Sequence, residues 1–445
     1  MLNLEKSLML NENSRIRKDL DGATLFYRKS LNVQKTTDFV FEILKHICNN
    51  NYSVKQLIAE FDIKKNNVDT FVTFLSGLFE SGCIEYNKER KLNYKQIIDL
   101  QDNNLPFQAP NMVWWDITAA CNLNCYYCYS AAGKPAIDEL STDEIYDILK
   151  QLSDMGVFFV FYLGGEPFIK KDFFAILEKT YELGLGIMIA TNGTLITKDI
   201  AKKLDIVSNI RISLDSGNEK IHNLMRGDDS SYGACLSALE ILSGVGIPYI
   251  GINCTVGLEN YKDIESVFDI ALQYGCNQIQ FIPVSGSGRA LENNKFLQQN
   301  ERDILINQLK KIQTRIDNEG LNIIIDAPEG YIEKPHLAKA LQSNNNKLDV
   351  MGCSAGKLSL AIFQNGDVAF CIMYRKVITS LRNDSAKNIW QEVSQYIKIN
   401  KNKNCMECTN EKICSGPCMI ESIDCDNCDK NALMKNFSKK EKKNG

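Results

Sequence analysis

An α/β fold built on a partial (β/α)6 barrel of TIM type, with a winged-helix unit ahead of it and a cysteine-rich unit behind, is what this 445-residue sequence predicts. Three observations predict it. From residue 111 onward, short apolar strands alternate with amphipathic helices, the signature of a parallel sheet. The first ninety residues read instead as three short helices flanked by extended segments. Beyond about residue 330 the alternation stops and cysteine becomes dense. The boundaries expected are 1–105, 106–330 and 331–445, close to the usual domain size of roughly 100 to 200 residues.

In the front unit, residues 23–33 (ATLFYRKSLNV) read as extended, and the next helix carries Phe39, Val40, Ile43, Leu44 and Ile47. Ser53 and Gln56 form a capping-box pair ahead of Leu57 and Ile58. A third helix aligns Val68, Phe71, Val72, Leu75, Leu78 and Phe79 on one face, Gly82 ends it, and CIEY returns as a strand.

In the barrel, strands are expected near 112–118, 157–163, 186–191, 208–214, 249–256 and 278–284. Helices such as 142–154, capped by Ser141 and Glu144, and 261–274 separate them. Six such units close naturally into a partial or complete barrel, whose chemistry belongs at the C-terminal ends of the strands.

Composition narrows the chemistry. The net charge is −4 and no basic run precedes the terminal lysines (Lys439, Lys440, Lys442, Lys443), so the footprint of a nucleic-acid binder is missing. No apolar stretch has the length of a membrane span or the form of a signal peptide, so a cytoplasmic protein without membrane contact is expected. In a reducing compartment sixteen cysteines read as thiolate ligands rather than disulfides, and three histidines leave little for imidazole sites. Cys48, Cys83, Cys235, Cys254 and Cys276 lie scattered among apolar residues and read as small buried hydrophobes.

Directly after the first barrel strand, Cys121, Cys125 and Cys128 stand in C-x3-C-x2-C spacing. A cubane iron-sulfur cluster takes four thiolates, so three together leave one iron open to a substrate. A zinc knuckle short of a ligand, or a cluster completed from afar, are the alternatives. The other strand ends are polar or glycine-rich: Gly164-Gly165-Glu166-Pro167, Thr191-Asn192-Gly193, Ser213-Leu214-Asp215-Ser216, Thr255-Val256 with Asn260 beyond, and Pro283 followed by Gly288-Arg289. Arg226-Gly227 follows His222. Two glycines expose backbone to a ligand, and a carboxylate such as Glu166 can accept from an ammonium group.

Cys121, Cys125, Tyr127 and Cys128 resemble the signature of the radical S-adenosylmethionine (SAM) superfamily, in which an aromatic residue precedes the third cysteine. The resemblance implies a [4Fe-4S] cluster whose open iron binds SAM, and reductive cleavage of SAM to methionine and a 5′-deoxyadenosyl radical. It further implies that Gly164, Gly165 and Glu166 hold the SAM amino group, that Ser213, and less directly Asp215, meet the ribose, and that Arg226 reaches the carboxylate. Tyr127, Asn192 and Val256 complete the expected cofactor contacts, and reduced ferredoxin or flavodoxin is the expected electron donor.

Behind the barrel, Cys353, Cys371, Cys405, Cys408, Cys414 and Cys418 have a spacing similar to the SPASM module, which carries two auxiliary iron-sulfur clusters. The resemblance assigns Cys353, Cys371 and Cys418 to one cluster and Cys405, Cys408, Cys414 and a later cysteine to the other, with Cys428 preferred over Cys425. A zinc ribbon is the alternative. No further cysteine lies between Cys353 and Cys371, so the first cluster is expected to have an open iron or a non-cysteine ligand.

A winged-helix unit ahead of these modules resembles the leader-recognition element of peptide maturases, in which a precursor peptide adds as a strand to the small sheet and packs on the third helix. Leu25, Tyr27, Leu31 and the helix from Val68 to Phe79 are the candidate surfaces. A DNA-binding head is the competing reading, weakened because the third helix offers only Lys64 and Lys65 at its start. The function expected is installation of a cross-link, a cysteine thioether of sactipeptide or ranthipeptide type, in a ribosomally made precursor peptide. A sulfatase-maturing or quinone-cofactor-forming enzyme and an iron-sulfur redox sensor are the alternatives.

Overall fold

A computed structural model describes residues 2–88, 90–100, 108–327 and 354–399, with side chains as far as residue 394. The front unit contains β1 (Leu8–Leu10), β2 (Ser14–Lys18), β3 (Ala23–Tyr27), β4 (Asn32–Thr36), α1 (Asp38–Asn50), α2 (Val54–Glu60), α3 (Val68–Glu80), β5 (Ile84–Tyr86) and β6 (Ile97–Ile98). The three helices stand where the apolar spacing puts them. Thr37 caps α1, and the Ser53/Gln56 box caps α2 with both reciprocal bonds made. The buried faces of α1 (Phe41, Ile43, Leu44, Ile47) and α3 (Phe71, Leu75) close over β1 and β5.

The extended reading of 23–33 is corrected in detail. It is a hairpin in which β3 and β4 pair antiparallel on either side of a turn with Leu31 at φ 49°. The sheet order is β4-β3-β2-β6, so β4 is an edge and β3 an inner strand. Leu25 is therefore buried in the unit's core, and Leu31 lies against the barrel at Gly186.

The barrel follows as β7 (Met112–Asp116), α4 (Thr142–Met155), β8 (Phe159–Leu163), α5 (Phe173–Glu182), β9 (Gly186–Thr191), α6 (Lys198–Ala201), β10 (Asn209–Ser213), α7 (Glu219–Arg226), α8 (Ser231–Ser243), β11 (Tyr249–Val256), α9 (Ile264–Gln273) and β12 (Gln278–Pro283). All six expected strands form and pair in parallel, in chain order. Along each strand one set of alternate residues faces the helices. Val113, Trp115, Val160, Tyr162, Ile187, Ile189, Ile210, Ile212, Ile252, Cys254, Ile279 and Phe281 belong to one continuous core with the buried faces of α4, α5, α8 and α9.

The sheet extends further than six strands. After α10 (Arg289–Asn293) and α11 (Gln299–Glu319), β13 (Ile324–Asp326) pairs in parallel with β12. At the opposite edge β14 (Ser359–Ile362) pairs in parallel with β7, followed by antiparallel β15 (Asp367–Ala369) and β16 (Val377–Ser380), and then α12 (Ala386–Ile399). The ten strands run from β13 to β16 without joining end to end, so the barrel is partial. Dense cysteine beyond residue 330 does not mean that the unit lacks an apolar core, as its described part shows. Leu360, Ile362, Val368, Phe370, Ile389, Trp390 and Val393 share the barrel's apolar core.

The front unit docks on the N-terminal ends of the strands. Phe26 stacks on Phe158 and Phe159 at centroid distances of 5.0 and 5.9 Å. Arg15 donates to the carbonyls of Ser153 and Val157 at 2.8 and 3.0 Å, and Arg17 to that of Gly156 at 2.9 Å. These carbonyls lie in the last turn of α4 and just beyond it, where a cation is favoured.

Candidate functional site

The loop from β7 to α4 carries the three cysteines at the C-terminal end of the sheet. Cys125 is buried, and Cys121 and Cys128 are half-buried, all within one small cluster with Leu123, Tyr127 and Met225. Backbone bonds fold the loop tightly: Cys128 N donates to the Cys125 carbonyl at 3.3 Å and Ala131 N to that of Cys128 at 3.2 Å. Burial pushes the Cys121 thiol up to about 11, with Glu166, Cys125 and Cys128 adding in the same direction. Three thiolates here call for a cationic partner.

The glycine pair after β8 is dictated by close approach to this loop. A Cβ at Gly165 would lie 1.9 Å from the Ala120 carbonyl, and Gly164 has φ 124° with the Thr118 carbonyl 2.4 Å from its would-be Cβ. Gly165 N and Glu166 N donate to the Thr118 and Ala120 carbonyls at 2.8 and 2.7 Å, bonds that leave the Gly164 and Gly165 carbonyls out. Glu166 itself differs from expectation. Its carboxylate is fully buried and accepts from Thr191 Oγ1, Asn192 N and Phe168 N, so it ties strand ends together instead of facing an ammonium group. Burial raises it to about 7 against those donors.

Asn192 donates to Asn122 Oδ1 at 2.9 Å, joining the third strand end to the cysteine loop. Ser213 ends β10 half-buried, on the face opposite the helices. Asp215 is corrected: with no exposed surface, its carboxylate takes Arg226 Nη2 at 2.8 Å, Thr255 N at 2.9 Å and the Tyr127 hydroxyl. It therefore fixes Arg226 and Tyr127 rather than offering an acceptor to a ribose. Arg226 in turn directs Nη1 toward Cys125 Sγ at 4.0 Å, where its charge favours a thiolate against the desolvation that raises that thiol. Gly227 is the αL cap of α7, and a Cβ there would lie 2.8 Å from the Asn124 carbonyl oxygen, which explains the Arg-Gly pair. Val256, expected among the cofactor contacts, has its side chain in the core, and its carbonyl accepts from Val284 N at 2.8 Å.

Residues 115–271 match the family model described as the radical SAM superfamily. That stretch is a radical SAM domain, and the protein is an enzyme. Sequence relatives include the AdoMet-dependent heme synthase of Methanosarcina barkeri, 26% identical over 69% of this chain and 91% of that one. The mycofactocin maturase MftC of Mycolicibacterium smegmatis is 28% identical over 70% of this chain and 78% of that one. Among solved structures, Streptococcus suis SuiB bound to its precursor peptide SuiA superposes with a TM-score of 0.70 at 18% identity, over 93% of this chain and 95% of that one. The anSMEcpe protein with bound AdoMet matches with a TM-score of 0.54 at 18% identity, over 74% of this chain and 94% of that one. At these identities the structural matches establish the fold.

Enzymes of the radical SAM superfamily use a [4Fe-4S] cluster with SAM. The loop of this domain offers a donor set of three thiols and no imidazole. Among the described residues no three Cys, His, Asp or Glu side chains converge on one point where a single ion could sit. A cubane spreads its cysteine ligands over different irons, so three thiols carried on one tight loop suit it.

Further groups support the loop, of which the sequence singled out only Gly288-Arg289. Glu139 accepts from Ala119 N at 2.7 Å and from Thr118 Oγ1 at 2.9 Å. Arg289 donates to the Cys125 and Ala132 carbonyls at 2.8 and 2.7 Å, and Gly288 passes close to the Cys128 carbonyl, so the Gly288-Arg289 pair clamps the loop from β12. Asp116, buried at the end of β7, takes the Tyr129 hydroxyl at 2.8 Å and an ion pair from Arg375. That pair ties the cysteine loop to the third unit; only the odd sequence CYYCY, with its extra tyrosine, hints at it. Among the third unit's predicted ligands, Cys371 is half-buried beside β15, while Cys353, Cys405, Cys408, Cys414, Cys418, Cys425 and Cys428 lie outside the described residues.

Proposed function

We propose that this enzyme matures a ribosomally made precursor peptide, holding the leader on its front unit and linking a cysteine sulfur to a carbon of the core peptide. The observation that carries the reading is the free side of β4. It is an edge strand among the described residues, with partly exposed residues throughout. Next to it Phe39 is 48% exposed, its ring 5.7 Å from Phe61 and 6.5 Å from Phe71 of α3. An edge strand beside an apolar helix surface suits β-augmentation by an extended peptide. The likeness to SuiB and the kinship with a mycofactocin maturase support the same substrate class.

At the opposite end of the sheet, Cys121, Cys125 and Cys128 would ligate three irons of the cluster, and the Gly164 and Gly165 carbonyls would face the SAM ammonium group. Arg226 would favour the Cys125 thiolate and meet the SAM carboxylate, and Ser213 and Asn192 would line the ribose side. When bound and reduced, by ferredoxin or flavodoxin, the cluster supplies the electron for cleavage of SAM. Cys371 with Cys353 and Cys418, and Cys405, Cys408 and Cys414 with Cys428, would hold two auxiliary clusters.

Co-expression with a precursor peptide encoded beside the enzyme, followed by mass spectrometry, tests the reading. A thioether link makes the peptide lighter by two hydrogens and removes one alkylatable thiol. An unchanged peptide, with reduced enzyme turning over SAM on a small molecule instead, would favour the second reading that the heme synthase relative suggests.

A further inference from the structure

The face of the barrel sheet turned away from the helices divides in two. On β7 to β9 it presents Trp114, Phe161, Met188 and Ala190, with the Trp114 and Phe161 rings 4.8 Å apart. On β10 to β13 it presents Asn209, Arg211, Asn253, Gln278, Gln280 and Asp326. At the seam lies Arg211, only 6% exposed. It reaches across two strands in each direction, donating to Gln280 Oε1 at 2.7 Å and covering the Phe161 ring at 5.2 Å. Among the described residues no carboxylate pairs with it: Asp326 stands behind Gln280, bonded to Gln280 Nε2 at 3.2 Å. Among the described residues Arg211 Nε has no hydrogen-bond partner, and neither do the Oδ1 atoms of Asn209 and Asn253.

A guanidinium buried with one neutral partner is costly, and a planar fork with a donor to spare matches a carboxylate. Arg211 stands two residues before Ser213, about 7 Å deeper at the usual strand rise. A group held there sits beneath the ring of strand ends described above. Phe26 and Leu31 of the front unit cover Gly186 at the N-terminal end of β9, so the way in is from the cysteine side.

We propose that Arg211, with Gln280 and Asn253, forms a substrate-anchoring subsite that takes a carboxylate of the peptide. This rests on the peptide reading above and deepens it. The carboxylate belongs to an acidic side chain or to the peptide's C-terminus.

Ligand-observed NMR titration of the cluster-loaded enzyme with SAM tests it. One pair of probes is N-acetylglutamic acid α-methylamide and its side-chain amide; the other is N-acetylalanine and its amide. In at least one pair the acid is expected to bind tenfold or more tighter than the amide, and the pair that discriminates names the source. Arg211→Gln should abolish the preference, Arg211→Lys should keep part of it, and Gln280→Leu, which spares the charge, should keep most. Equal binding of acid and amide in both pairs overturns the subsite. So does a preference that survives in Arg211→Gln with normal iron content. An acid preference without any modified peptide would leave the subsite standing and sink the peptide reading, whereas a modified peptide with an indifferent Arg211 would do the reverse.

Discussion

The two ends of the barrel sheet use buried arginines in opposite ways. At the N-terminal end, Arg15, Arg17 and Arg28 come from the front unit, and their guanidinium groups are well partnered. Arg15 and Arg17 take the last carbonyls of α4, Arg17 also holds Asp19 at 3.0 Å, and Arg28 donates to the Tyr181 carbonyl at 2.8 Å while lying 3.8 Å from its ring. Inside the barrel Arg211 keeps a donor in reserve, and at the C-terminal end Arg226 divides itself between Asp215 and a cysteine. Partnered arginines glue two units together, whereas an arginine with an unspent donor marks a place where a ligand completes the bonding.

Variants at the two ends should therefore separate chemistry from stability. The largest effect is expected from replacing Cys121, Cys125 and Cys128 together with Ala: formation of 5′-deoxyadenosine falls below detection while leader-peptide affinity, measured by fluorescence anisotropy, is unchanged. Persistent cleavage would refute the site. Gly165→Ala drives a methyl into the Ala120 carbonyl and displaces the loop, so cleavage should fall on the order of a hundredfold with a reduced iron content. At the other end, Arg17→Ala leaves buried Asp19 without its cation and should cost about 3 to 5 kcal/mol. Hydrogen exchange would read this as lost protection at the end of α4, and protection equal to that of the parent protein would show the docking to be indifferent.

A smaller effect concerns pH. Glu166, raised to about 7, holds a proton in the fold where the unfolded chain has lost it, so it makes stability fall as pH rises from its ordinary value of 4.5 to about 7. His222, lowered to about 4 chiefly by burial, stays neutral where the unfolded chain is protonated, so it makes stability fall as pH drops from 6.5 to about 4. Each contributes roughly 3 kcal/mol over its window, with opposite slopes that offset one another where the windows overlap. Denaturant titrations across that overlap should show Glu166→Gln gaining stability with rising pH relative to the parent, and His222→Gln losing it. The smallest effect is expected at the front unit, where Phe39→Ser should weaken leader binding by roughly tenfold, the loss of about one apolar contact surface, without altering SAM cleavage.

The sequence was most legible where local rules and tertiary demands coincide. All six barrel strands, α1 to α3 and the boxes at Ser53 and Ser141 follow from apolar period and capping, because each depends on neighbours within a few residues. Four of the five scattered cysteines are buried as apolar residues and Cys48 partly so. The strand ends were legible as a set, but the roles of Glu166, Asp215 and Val256 were not. A carboxylate at a strand end can face a ligand or lock its neighbours, and only the donors around it decide. Leu25 and Leu31 failed as a peptide surface for a related reason, since strand order determines which strand is an edge.

By itself, then, the sequence determined the cysteine loop and the βα rhythm that places it at the head of a sheet. Those are local patterns, set by spacing along the backbone. The tertiary structure alone decided that β14 continues the barrel sheet beside β7, that Arg375 reaches Asp116 across 259 positions of sequence, and that Arg211 is buried with a donor to spare. Such facts depend on which distant groups share a dielectric interior, and no spacing in the chain records that.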